Sequence, residues 1–147
     1  MVHSPKRMLF LDLALSVFRL NGLLIAEGDA MTSDLGLTSA RWKVIAVIAL
    51  SSAGMTVPGI ARVLGQSRQA VQRITDVMVQ DGLLEYRSNP KHKRSSLVFL
   101  SEVGREAYTQ LRSVQDPWAI ESTTDIPIED LDTALQVVRK LIQKFDR

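Results

Sequence analysis

The 147-residue sequence has no cysteine and only two histidines. Without cysteine there is no disulfide, thiolate nucleophile or thiolate metal site, which excludes a secreted disulfide scaffold and a cysteine-based redox sensor and makes the cytoplasm the expected compartment. His3 lies near the N-terminus, and His92 sits among Lys91, Lys93 and Arg94. Neither setting suits acid–base catalysis. The acidic residues are scattered, without the spacing of metal ligands. Gly54, Gly59 and Gly65 do not stand between a strand and a helix, as a phosphate-binding loop requires. These absences point to a protein that is not an enzyme and holds no cofactor or metal.

An excess of one charge is missing too: 18 Lys and Arg stand against 16 Asp and Glu. Distribution is more telling. From Arg62 to Arg94 seven basic residues face three acidic ones, a balance of +4, whereas from Asp116 onward the balance is −3. Positive potential is concentrated in the middle of the chain, as expected if that part meets an anion. The length suits one domain with a real core.

Lys6-Arg7 followed by an apolar run resembles a signal peptide. Asp12 interrupts the run, Arg19 and Asn21 close it, and no small-x-small cleavage site follows. The same interruptions argue against a membrane span, so an amphipathic helix is expected. Leu9, Leu13, Val17, Leu20 and Leu24 recur at three- and four-residue steps, with Gly28-Asp29 as the expected stop. Thr38 starts a second helix, nearly all apolar from Trp42 to Ala49 and central to the core. Thr56 caps a short third helix with Pro58 in its first turn and Gly65 after it.

Ser67 caps a fourth helix running to Asp81. Val71, Ile74, Val77 and Met78 share one side of it; Gln69, Gln72, Arg73, Asp76 and Gln80 share the other. Such a wet face is equally what a solvated helix carries. An amide- and arginine-rich one also suits base edges, since Arg can fork onto guanine and Gln onto adenine. Context favours the second use: a short helix, a tight Leu64-Gly65-Gln66 turn and a polar helix start follow the order of a helix-turn-helix. Leu83 to Arg87 and Leu97 to Leu100 are strand-like runs flanking an Asn-Pro turn signal and a basic tip. A hairpin placed there is a wing whose cations can reach phosphates and the minor groove.

The ordered series Leu37-Thr-Ser-Ala-Arg-Trp-Lys-Val-Ile45, Ile60-Ala-Arg-Val-Leu64, Val71-Gln-Arg-Ile-Thr-Asp76, Asp81-Gly-Leu-Leu84, Asn89-Pro-Lys-His-Lys-Arg94 and Leu100-Ser-Glu-Val-Gly104 resembles the MarR family of winged-helix transcriptional regulators. The resemblance covers about residues 35 to 112. It implies a mainly α (α+β) subunit: a winged helix-turn-helix over about 35–104, and dimerisation helices over about 1–34 and 105–147. The implied partners are double-stranded DNA, at a pseudo-palindromic operator, and a second copy of the chain, with no membrane role; repression is the commoner family habit. Expected DNA contacts are Ser67, Arg68, Gln69, Gln72 and Arg73 from the fourth helix and Arg87, Lys91, Lys93 and Arg94 from the wing, Arg94 matching the minor-groove arginine. The family often carries acids where Asn89 and His92 stand here, which puts its wing ion pairs in doubt, and Gly59 replaces a good helix former, so a shorter or looser third helix is expected.

Leu9, Leu13 and Val17 near the N-terminus, with Leu131, Leu135, Val138, Leu141, Ile142 and Phe145 in the last helix, are the expected dimerisation residues. The last six form an apolar stripe that another subunit, or the first helix of the same chain, could cover. The resemblance further implies a small aromatic effector, with Phe10, Phe18, Trp42, Tyr108 and Trp118 as pocket candidates; aromatics at helical positions are also ordinary core residues. A winged domain binding an acidic protein surface would use the same cations. It would expose large apolar or aromatic anchors on the fourth helix, and Gln69, Gln72 and Arg73 stand there instead.

Overall fold

The computed structural model describes residues 4–147, so His3 lies outside the described residues. In chain order the elements are α1 (Pro5–Thr32), α2 (Ser39–Ala49), α3 (Val57–Leu64), α4 (Arg68–Gln80), β1 (Leu84–Arg87), β2 (Leu97–Leu100), α5 (Glu102–Ser122) and α6 (Ile128–Phe145). This is the mainly helical winged-helix architecture. The chain divides into two compact units, one ending at Arg112 and the other running from Ser113 to Arg147.

In the first unit α2 is apolar nearly all round because α1, α3, α4 and β2 surround it. Its Val44, Ile45 and Ile48 form the centre of the core with Ile60, Val71, Met78, Leu84, Val98 and Leu111. The helix starts follow local chemistry. Thr38 Oγ1 accepts from the Arg41 amide, Thr56 Oγ1 from Gly59 and Ser67 Oγ from Ala70, each satisfying an otherwise orphaned N–H. Gly59 therefore lies in a capped first turn, and α3 runs its full course to Leu64.

Three expectations need correction. Gly28 does not end α1, which continues to Thr32. A Cβ at Gly28 would overlap Ser39 Oγ and Trp42 Nε1, so this glycine is there for close helix packing. Asp29 Oδ1 then accepts from the Ser39 amide at 2.6 Å, and Ser39 Oγ donates to the Ile25 carbonyl at 2.6 Å, tying α1 to the start of α2. On α4, Val77 is 44% exposed while Thr75 is fully buried, its hydroxyl donating to the Val71 carbonyl. Val77 falls about 100° around the helix from Met78, off the inward face that Val71, Thr75 and Met78 define. Lastly, β1 begins at Leu84, because the Leu83 amide turns back to donate to the Met78 carbonyl at the end of α4.

The hairpin pairs Leu84 with Leu100 and Tyr86 with Val98. Alternation puts those four on one face, toward the core, and Glu85, Arg87, Leu97 and Phe99 on the other. Met55 adds a backbone bridge to Val98, with both amides donating, which fastens the α2–α3 connection to the wing. Gly54 precedes it at φ 73°, where a Cβ would strike the Phe99 ring. Ser101 closes the hairpin onto α5: its hydroxyl donates to the Gly82 carbonyl and accepts from the Gly104 amide.

In the second unit, Thr123 and Thr124 donate to the Ala119 and Ile120 carbonyls and finish the last turn of α5. Glu129 and Asp130 in the first turn of α6, and Lys144 in its last, complement the helix dipole.

Candidate nucleic-acid interface

The α3–α4 turn is set by backbone chemistry. Gly65 adopts φ 63°, the Gln66 amide donates to the Ala61 carbonyl and the Gly65 amide to Arg62. This αL stop redirects the chain within two residues into the Ser67 cap of α4. Arg68, Gln69, Gln72 and Arg73 are thereby exposed at the start of α4.

Beside them lies a cleft of about 410 Å³ between α3, α4 and the wing, lined by Val57, Pro58, Arg68, Gln69, Gln72, Tyr86, Arg94, Ser95 and Ser96. Two arginines from different elements meet at this cleft, and a cleft focuses their field on an approaching anion. The structure thus brings Arg68, Gln69 and Gln72 together with Arg94, while Ser67 and Arg73 do not line the cleft. Lys91 and Lys93 are exposed at the wing tip, where Asn89 Oδ1 accepts from the Lys91 amide and the His92 amide donates to the Asn89 carbonyl. Asn89 therefore braces the tip through an Asx turn. Arg87 differs: its guanidinium lies 4.1 Å from the Phe99 ring centre and 3.1 Å from Glu85 Oε2, so it is already engaged on the outer face of the wing.

A second feature of the site escaped sequence reasoning. Tyr86, on the inward face of β1, directs its hydroxyl at α4, where it donates to Asp76 Oδ1 at 2.5 Å and stands 3.0 Å from Thr75 Oγ1. Gln72 Nε2 donates to the same Asp76 oxygen at 2.9 Å and to the Tyr86 hydroxyl at 3.0 Å. Burial, followed by the bond to Asp76, pushes the Tyr86 phenol above its ordinary range, so it stays a donor at neutral pH. The available signals were the Leu84–Tyr86 alternation and the four-residue spacing of Gln72 and Asp76.

Of the expected dimerisation residues, Leu9, Leu13 and Val17 on α1, and Leu131, Leu135, Val138, Ile142 and Phe145 on α6, are all exposed in the single chain; Leu141 is half-buried. By length and composition alone α1 would also suffice to cross a membrane. Its two central charges, Asp12 and Arg19, are seven residues apart and share one face. Among the effector-pocket candidates, Phe10 and Phe18 are exposed, Trp42 and Tyr108 pack against the core, and Trp118 is half-buried in the second unit. The Trp42 indole N–H is buried without an acceptor. Among the described residues no three His, Asp or Glu stand together as a metal site would need.

Residues 35–95 match the model of the MarR family. An uncharacterized protein of Mycobacterium tuberculosis is 40% identical over 124 residues, which cover 77% of this chain and 85% of that protein. The transcriptional activatory protein BadR of Rhodopseudomonas palustris is 25% identical over 89% of this chain and 77% of its own length. In fold, the chain is similar to a mutant MarR of Escherichia coli crystallised with operator DNA, at a TM-score of 0.76 and 24% identity, covering 90% of this chain and 94% of that one.

Proposed function

The chain belongs to the MarR family of transcriptional regulators, and we propose that it acts as a cytoplasmic homodimer on a pseudo-palindromic operator. The observation that carries this function is the joint exposure of Arg68, Gln69, Gln72 and Arg73 on α4 beside the cleft that Arg68 shares with Arg94. The α4 start supplies base-edge chemistry and the wing supplies cations for phosphate and the minor groove, so discrimination belongs to the first and affinity to the second. A two-fold dimer places its two α4 helices on half-sites about one helical turn apart.

Residues 1–34 and 105–147 are assigned to dimerisation, with the exposed apolar side chains of α1 and α6 as support. Coverage by a second copy, rather than by a membrane, is our account of the composition of α1. Repression is the direction we favour, as the commoner habit of the family; BadR is a relative named for activation. Control by a small aromatic acid is the finer part of the proposal and rests on the family resemblance alone.

Fluorescence anisotropy on the intergenic DNA beside the protein's own gene, against a scrambled duplex across a salt series, tests the function. Tight, sequence-preferring binding by two subunits per site is expected. No binding near physiological salt would contradict it and favour a protein partner for the basic wing.

A further inference from the structure

Gln72, Asp76 and Tyr86 close a triangle of hydrogen bonds. Gln72 Nε2 lies 2.9 Å from Asp76 Oδ1 and 3.0 Å from the Tyr86 hydroxyl, and those two oxygens are 2.5 Å apart. By the cosine rule these sides subtend roughly 50° at Nε2. The two N–H bonds of a planar amide diverge by about 120°, so both oxygens share one of them. Oε1 and the second N–H of Gln72 remain for an outside partner. The orientation is fixed as well: turning the amide over would set Oε1 against a carboxylate oxygen, acceptor to acceptor.

In the major groove adenine presents an N6 donor beside its N7 acceptor, whereas guanine presents the O6 and N7 acceptors with no donor. An amide whose polarity is fixed can match the first edge and not the second. We propose that Asp76 and Tyr86 are positioning residues that hold the Gln72 amide in the orientation that reads adenine and rejects guanine at one position of each half-site. The proposal rests on α4 being the reader. It also explains a carboxylate on a surface meant for phosphate: Asp76 costs affinity through like-charge repulsion and gives selectivity in return.

The test uses the full chain and an operator selected by the wild-type protein from a random duplex pool. Affinities are then measured on duplexes changed one base pair at a time, for wild type, Gln72→Ala, Asp76→Asn and Tyr86→Phe. Wild type is expected to prefer adenine over guanine at one position by about 5- to 100-fold, and Gln72→Ala to lose that preference. Asp76→Asn, whose amide accepts either orientation of Gln72, should narrow it to within about threefold at the same position and raise affinity on every duplex. Tyr86→Phe should narrow it less. A purely structural loss lowers affinity on all duplexes and leaves the ratio intact, which would overturn the proposal. If Gln72→Ala removes a preference that Asp76→Asn and Tyr86→Phe both leave whole, positioning fails while α4 stands as the reader. If Gln72→Ala changes no position, the assignment of base reading to this part of α4 fails too, and the proposal with it.

Discussion

The winged segment from Leu37 to Leu100 buries most of its large apolar side chains against one another, with Leu50, Val63 and Val77 as exposed exceptions, whereas α1 and α6 leave nearly all of theirs exposed in the single chain. Val44, Ile45, Ile60, Val71, Met78 and Val98 are wholly enclosed within one chain. Leu9 is 70% exposed, Phe18 74% and Phe145 66%. Fully burying one such side chain contributes about 1.5–3 kcal/mol. The winged segment already has that stabilisation, whereas the terminal helices do not have it within one chain. The winged segment has its core within one copy; under the dimer proposal the terminal helices would gain theirs from a second.

Breaking the contrast from the side of the terminal helices should have the largest effect. Leu135→Asp places a charge at an apolar contact and does so twice across a two-fold interface, so dimer affinity should fall at least about 100-fold by sedimentation equilibrium. An unchanged association constant would remove the α6 stripe from the interface. Inside the winged half, Gly104→Ala sets a Cβ against the Leu83 carbonyl where α5 leaves the hairpin. A loss of about 1–3 kcal/mol in urea unfolding is expected, at unchanged m-value. Ser67→Ala removes the α4 cap and should cost about 1 kcal/mol in the same assay, with weaker DNA binding as the reader frays.

Arg94→Ala sharpens the division within the DNA-reading part. Binding should weaken about uniformly across sequences and the salt slope fall by about one, whereas an unchanged slope would place Arg94 off the DNA. Arg87→Ala should move that slope less, because Phe99 and Glu85 hold its guanidinium on the wing. The smallest effect belongs to Val77→Lys: at an exposed position of α4, stability should change by no more than about 0.5 kcal/mol.

What could be read from the sequence was whatever local chemistry decides. Thr38, Thr56 and Ser67 announce helix starts because each hydroxyl serves an amide three residues on. Gly65 announces the turn because its φ of 63° excludes most side chains, and the Asn89-Pro90 pair announces the wing tip. What could not be read depends on tertiary proximity. Gly28 looks like a helix stop until Ser39 and Trp42 are placed against it. The bridge from Met55 to Val98 joins segments more than forty residues apart and leaves no pattern in either.

The candidate site divides the same way. The cations and amides were visible as residue types at helix and hairpin positions, but the hold of Tyr86 and Asp76 on Gln72 required the phase of β1 against α4. Thr75 illustrates the limit: a buried hydroxyl on the inward face is silent in a search for apolar periodicity, because its bond to the Val71 carbonyl satisfies the group that burial would otherwise strand.

A second copy of the chain covering α1 and α6 is the central claim, and sedimentation equilibrium of the purified protein over a dilution series down to low micromolar tests it most directly. A mass of twice the 16.3 kDa chain, with no monomer emerging on dilution, is expected. A single species at 16.3 kDa with full helical circular dichroism would contradict it, since the terminal helices would then be stable with their apolar faces in water.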